Sequence, residues 1–189
     1  MTRRELLAAA LSYPVIGSMT LADDPQAAYE PRSAPGEGQK FLEKLAGQWD
    51  VVKTFHPRTG APSVSKGHCR QTMIHGGRFL QSDYTFEDAA GQTTGLGMIG
   101  FDSGKFTSFW TDSRATRMSI RQSEEPFDGK QIVLHSKSLD DVNARKSRTL
   151  TVLEDEGRRL IHRQFTPGTD GAERIVMELM MTRVEAKKG

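Results

Sequence analysis

The sequence predicts an all-β domain: one antiparallel sheet closed into an up-and-down barrel of about nine or ten strands, preceded by a short N-terminal helix. Three observations carry this reading. From Trp49 onward apolar and polar residues alternate with a period of two, as half-buried strands require. Turn signals recur between the apolar runs, at Arg58-Thr59-Gly60, His75-Gly76-Gly77, Ala90-Gly91, Asp102-Ser103-Gly104, Asp128-Gly129, Glu156-Gly157 and Asp170-Gly171. Their spacing suits hairpins and leaves no room for crossover helices, so neighbouring strands run antiparallel. A sheet of this size must hide its edges, by closure as expected here or in a jelly roll as the alternative.

The elements follow in chain order. Arg3-Arg4 stands directly before an apolar run, Leu6 to Leu21, which is broken by Ser12, Pro14 and Gly17 and is too short to span a bilayer. Small residues flank Leu21 before Asp23-Asp24-Pro25, so residues 1–22 read as a cleavable export signal; the alternative is a cytosolic amphipathic helix. The order Thr-Arg-Arg-x-Leu-Leu resembles a twin-arginine signal, although Glu5 departs from that pattern. The expected location is therefore the periplasm or cell envelope of a bacterium, with no integral membrane segment after processing. Residues 23–38, with Pro25, Pro31, Pro35, Gly36 and Gly38, read as a linker, and residues 39–185 as the domain. Phe41, Leu42 and Leu45 have helical spacing, and Gly47 reads as the helix stop. Candidate strands follow from Trp49 and at Phe79–Phe86, Phe106–Trp110, Met118–Ile120, Ile132–Leu134, Leu150–Leu153, Leu160–Phe165 and Ile175–Met181. Gly95, Gly97 and Gly100 share one strand, where tight curvature explains them and a dinucleotide loop, which must open a helix, does not.

Composition excludes several function classes. The net charge of +2 lacks the clustered basic block of a nucleic-acid footprint. Cys69 is the only cysteine, which rules out an intramolecular disulfide and a cysteine-rich zinc site and suits a small buried hydrophobe. No serine sits in a nucleophile elbow. Asp140-Asp141 and Glu124-Glu125 fall in expected turns, and the eight methionines suit core filling. No motif names a reaction, so an enzyme is the weaker reading.

Several blocks resemble a known family: Gly47-Gln48-Trp49 after the helix, Gly77-Arg78-Phe79-Leu80, Gly95 to Asp102, Phe109-Trp110-Thr111-Asp112, and Met177 to Arg183. Together they resemble the bacterial family catalogued as domain of unknown function 1579, related to the lipocalin-like (calycin) barrels. The family carries no biochemical role. The resemblance implies that Trp49 plugs the closed end of the barrel and that Arg183, from the last strand, packs across its face. Cation–π attraction and carbonyl hydrogen bonds would make that closure worth about 1–2 kcal/mol. Both residues are then structural.

Candidate lining residues are Trp110 and Asp112, two apart on one face, and Arg78 and Tyr84, which share a parity. An aromatic and a carboxylate inside a barrel would hold the apolar body and polar end of a ligand. Against this stands Asp112 beginning a turn and binding backbone amides near Ser113. A barrel arginine is expected to pair with a carboxylate such as Asp112. His68, His75, His135 and His162 lack the short spacings of a metal motif and read as surface or hydrogen-bonded residues. His162 shares a face with Leu160, and nitrobindin-type lipocalin-like barrels take a haem ligand from a late strand, so the resemblance keeps haem as an alternative cofactor. The expected function is that of an exported protein holding a small apolar or amphipathic ligand. A haem or metal protein, or an enzyme acting on such a ligand, are the alternatives, and a solid barrel is also compatible with the strand count.

Overall fold

The computed structural model describes residues 33–88, 91–137 and 147–185. The expected export signal at 1–22, and residues 23–32 of the expected linker, lie outside the described residues.

Helix α1, Glu37–Leu45, presents Phe41, Leu42 and Leu45 on one buried face, each burial favourable by about 1.5–3 kcal/mol. Glu37 in its first turn and Lys44 in its last complement the helix dipole. Gln39 ties its start down: its Oε1 accepts from Gly36 N at 2.8 Å, and its Nε2 donates to Phe101 O at 2.7 Å. The helix ends at Leu45, two residues before the expected glycine, because Ala46 already turns to extended geometry. Gly47 instead opens the first strand at φ +141°, and a Cβ there would meet Arg183 Nη1 at 2.5 Å.

Ten strands follow among the described residues: β1 Gly47–Phe55, β2 Ser63–Ile74, β3 Phe79–Asp88, β4 Gly91–Asp102, β5 Lys105–Asp112, β6 Ser119–Gln122, β7 Gln131–Lys137, β8 Arg148–Glu154, β9 Arg159–Pro167 and β10 Glu173–Arg183. Each pairs antiparallel with its sequence neighbours, and β1 pairs with β10, so the sheet closes as an up-and-down barrel and not a jelly roll. The candidate strands omitted β2, whose inward residues Ser65, Gly67, Cys69 and Gln71 are small or polar and give no apolar alternation. Met118 stands exposed just ahead of β6 and is not in a strand.

Helix α1 covers one end of the barrel, and the core sits beneath it. Trp49 and Phe106 are fully buried there. Phe106 lies 4.8 Å from Phe101 and 5.0 Å from Phe127 between ring centroids, and Phe127 lies 5.1 Å from Phe41. These edge-on and tilted packings add to the area burial. Arg183 lies over the Trp49 indole at 4.2 Å, while Trp49 Nε1 donates to Leu45 O at 3.0 Å. The Arg183 guanidinium also donates to Ala46 O, Lys44 O and Gly157 O at 2.7, 2.6 and 2.7 Å. One side chain thus ties the helix end, the last strand and the β8–β9 turn together.

Candidate functional site

Behind the plug the barrel is hollow. A cavity of about 320 Å³ runs from Leu45, under the helix, to Arg114 and Arg117 in the β5–β6 connection. Period-two geometry supplies its walls, since alternate residues of every strand face inward. Leu160, His162 and Gln164 come from β9, Met177 and Leu179 from β10, and Ile132 and Leu134 from β7. The space itself depends on β4. Gly95 and Gly97 line the cavity without side chains, and the Trp110 indole lies against them; a Cβ on Gly95 would collide with its ring. Tyr84 stands edge-on to Trp110 at 5.4 Å and stacks on Phe86 at 5.7 Å, making an aromatic wall. Lys53 extends over Phe86, its Nζ 4.4 Å from the ring centroid.

Four of the five residues expected to line the barrel come together here: Tyr84, Trp110, Asp112 and His162. Arg78 does not. It closes the β2–β3 hairpin, with its N bonded to Ile74 O, and its exposed guanidinium donates to His75 O at 3.2 Å. The shared parity with Tyr84 fails because Arg78 precedes the strand, so alternation does not extend to it.

Asp112 lines the cavity and begins the turn, the second of the two roles weighed for it. Oδ2 accepts from Trp110 Nε1 at 3.0 Å and from Arg114 Nη2 at 3.0 Å, while Oδ1 accepts from Arg114 N at 2.9 Å and Nε at 3.2 Å. The Arg114 fork, followed by the indole N–H, outweighs burial and holds this carboxyl at about 2, so it is ionised. Asp112 therefore fixes the Trp110 ring and turns the chain at the mouth.

His162 shares a 2.8 Å hydrogen bond between Nδ1 and Thr151 Oγ1. Burial first, and the Arg121 charge second, push it down to about 4, so the imidazole is neutral at physiological pH. The other histidines lie elsewhere: His68 is exposed against Asp50, His75 sits in the β2–β3 turn, and His135 faces Glu124. Among the described residues no group of three or more His, Cys, Asp or Glu side chains is placed to hold a metal ion. Cys69 faces inward, and burial pushes its thiol up to about 12, which leaves it unreactive.

The residues missed from sequence are polar and inward. Arg121 on β6 pairs in register with Ser108 on β5 and Ser136 on β7, so a row of polar residues crosses three strands on the inner face. Ile120, the apolar residue that ended the expected Met118–Ile120 strand, lies on the opposite face. Gln71 is 7% exposed, and its Nε2 donates to Ser82 Oγ at 3.1 Å. The signal was cross-strand: polar residues matched across three successive strands, visible only once register is known.

Comparison with known proteins places this geometry. Residues 34–183 match the family described as Protein of unknown function (DUF1579). No curated protein matches the sequence. Among solved structures, the S-type phycobiliprotein lyase CPES from Guillardia theta superposes with a TM-score of 0.55 at 10% identity, over 79% of this chain and 94% of its own. Rv2717c from M. tuberculosis superposes with a TM-score of 0.58 at 13% identity, over 82% of this chain and 100% of its own. At these identities the likeness is one of fold alone.

Proposed function

The chain belongs to the DUF1579 family, and within it we propose that the protein binds a compact amphipathic small molecule inside its barrel. The observation that carries this reading is the cavity of about 320 Å³, walled by Tyr84, Phe86, Trp110, Ile132, Leu134 and Leu179 and set with a few polar groups. That combination suits a ligand with an apolar body and an oriented polar end, and the volume lies at the small end of the usual ligand-pocket range. No helix among the described residues is long and apolar enough to cross a membrane. The Arg3-Arg4 segment supports export, so the proposed site of action is the bacterial cell envelope. The structural neighbour is named a phycobiliprotein lyase; that activity belongs to the neighbour, and the barrel is what the two chains have in common.

A second reading has one specific support. His162 is the imidazole that lines the cavity, neutral and oriented through Nδ1 by Thr151, as a haem or metal ligand would need. Native mass spectrometry with an absorption spectrum, on protein purified from its own cell envelope, tests both. An added mass without colour supports the amphiphile, and a Soret band abolished by His162→Ala supports haem. An unliganded mass that no small amphiphile displaces upward would overturn the binding reading. The same spectrum reads export, which requires a mature chain starting near Asp23.

A further inference from the structure

One charged group inside the cavity, Arg121, lacks a partner among the described residues, and it specifies the ligand's polar end. Arg117 and Arg121 line the cavity, and the carboxylate among its described lining residues is Asp112. That carboxylate is already engaged by the Arg114 fork and the Trp110 indole. Arg114 and Arg117 stand exposed at the mouth, whereas Arg121 lies within the sheet between Ser108 and Ser136. Its Nε is buried with no hydrogen-bond partner, and none of the ion pairs among the described residues includes it.

An arginine cannot shed its proton to escape burial, so a half-buried guanidinium is costly until an anion or a set of acceptors meets it. Among the described residues nothing meets it. His162, on β9, is neutral and committed to Thr151, and Arg117 acts on Arg121 as a like charge. The Gln71 amide makes no such demand: its Nε2 donates to Ser82 Oγ, and its buried, unpartnered Oε1 is an acceptor, which a carboxylate does not partner. A planar carboxylate matches the guanidinium fork with two parallel hydrogen bonds.

We propose that the ligand is a compact monocarboxylate whose apolar body packs on the Tyr84–Phe86–Trp110 wall and whose carboxylate is received by Arg121. This rests on the ligand-binding reading above and adds the chemical class of the ligand. Arg117, exposed at the mouth, favours entry of an anion over a cation.

The test uses matched probes, 4-phenylbutyrate and 4-phenylbutan-1-ol, titrated by calorimetry into the full-length protein and into the Arg121→Met and Arg121→Lys variants. Trp110 emission, isolated in a Trp49-containing background by difference from Trp110→Phe, provides a second readout. The wild type is expected to bind 4-phenylbutyrate at least tenfold more tightly than the alcohol. Arg121→Met should lose roughly tenfold to a hundredfold on the acid while keeping its affinity for the alcohol. Arg121→Lys should fall between, because it keeps the charge and loses the fork. Equal binding of acid and alcohol by the wild type would overturn the carboxylate assignment and leave the binding reading standing. If neither probe binds, both readings fall. Arg121→Met should also melt no lower than the wild type without ligand, because it removes an uncompensated charge. A variant that unfolds would show that Arg121 is a structural tie and would overturn the proposal.

Discussion

Acidifying the solution should destabilise the barrel through one residue, His162, in a pH window of its own. The imidazole is buried and held neutral, with its protonation pushed from 6.5 down to about 4. A base with a depressed folded value binds protons more readily when unfolded. Its contribution is therefore present above the unfolded value and is lost as pH falls towards the folded one. Between pH 7.5 and pH 5 the loss comes to about 2 kcal/mol, and it levels off below pH 4 at about 3 kcal/mol. Asp112 acts lower down: its contribution, held by Arg114, is lost only between its ordinary value of 3.8 and about 2. The assay is urea unfolding at pH 7.5 and pH 5, comparing the wild type with His162→Gln, which retains a hydrogen-bonding group opposite Thr151. The difference in unfolding free energy between the two pH values should shrink by about 2 kcal/mol in the variant. Equal pH dependence in both proteins would refute the reasoning and would mean that His162 titrates in the barrel as it does in water.

Three further outcomes follow from the geometry. Replacing Arg183 with Met removes three carbonyl contacts and the indole cover, and should cost about 3–5 kcal/mol, read as a lowered urea midpoint with unchanged slope. Gly95→Ala pushes a methyl group into the Trp110 ring and should cost about 1–3 kcal/mol with a shift in tryptophan emission that is absent when Trp110→Phe is already present. The Cys69 thiol should resist alkylation by iodoacetamide at pH 8 in the folded protein and react fully in urea; fast labelling of the folded barrel would contradict its burial.

The architecture was legible because it depends on local signals. Period-two alternation and glycine turns state strand after strand, and the Gly47-Gln48-Trp49 and Met177 to Arg183 blocks frame the plug. The inside of the barrel was less legible, for a physical reason. A core strand advertises itself by apolar alternation, whereas a hollow barrel turns small and polar residues inward. Hence β2, with Ser65, Gly67, Cys69 and Gln71 facing in, left no trace, and Arg121 was hidden by Ile120 beside it. Arg78 failed in the opposite sense, since parity was extended past the end of β3 into a turn. Tyr84, Trp110, Asp112 and His162 lie well inside strands or at a strand's last residue, where parity holds.

The seam between β1 and β10 sets the order in which this molecule can be completed. Every other pairing joins strands that are consecutive in the chain, so each hairpin forms from residues close in sequence and can assemble as synthesis proceeds. The seam joins the first strand to the last, with Trp49 opposite Arg183 and Phe55 opposite Met177. Until residue 183 has emerged, the nascent sheet carries two open edges and an uncovered tryptophan, a state prone to associate with other chains. The ring closes last and at once, in the step that also lays Arg183 over the indole. A strand-length deletion at the C-terminus would therefore be expected to leave an aggregating sheet, and not a slightly weaker barrel.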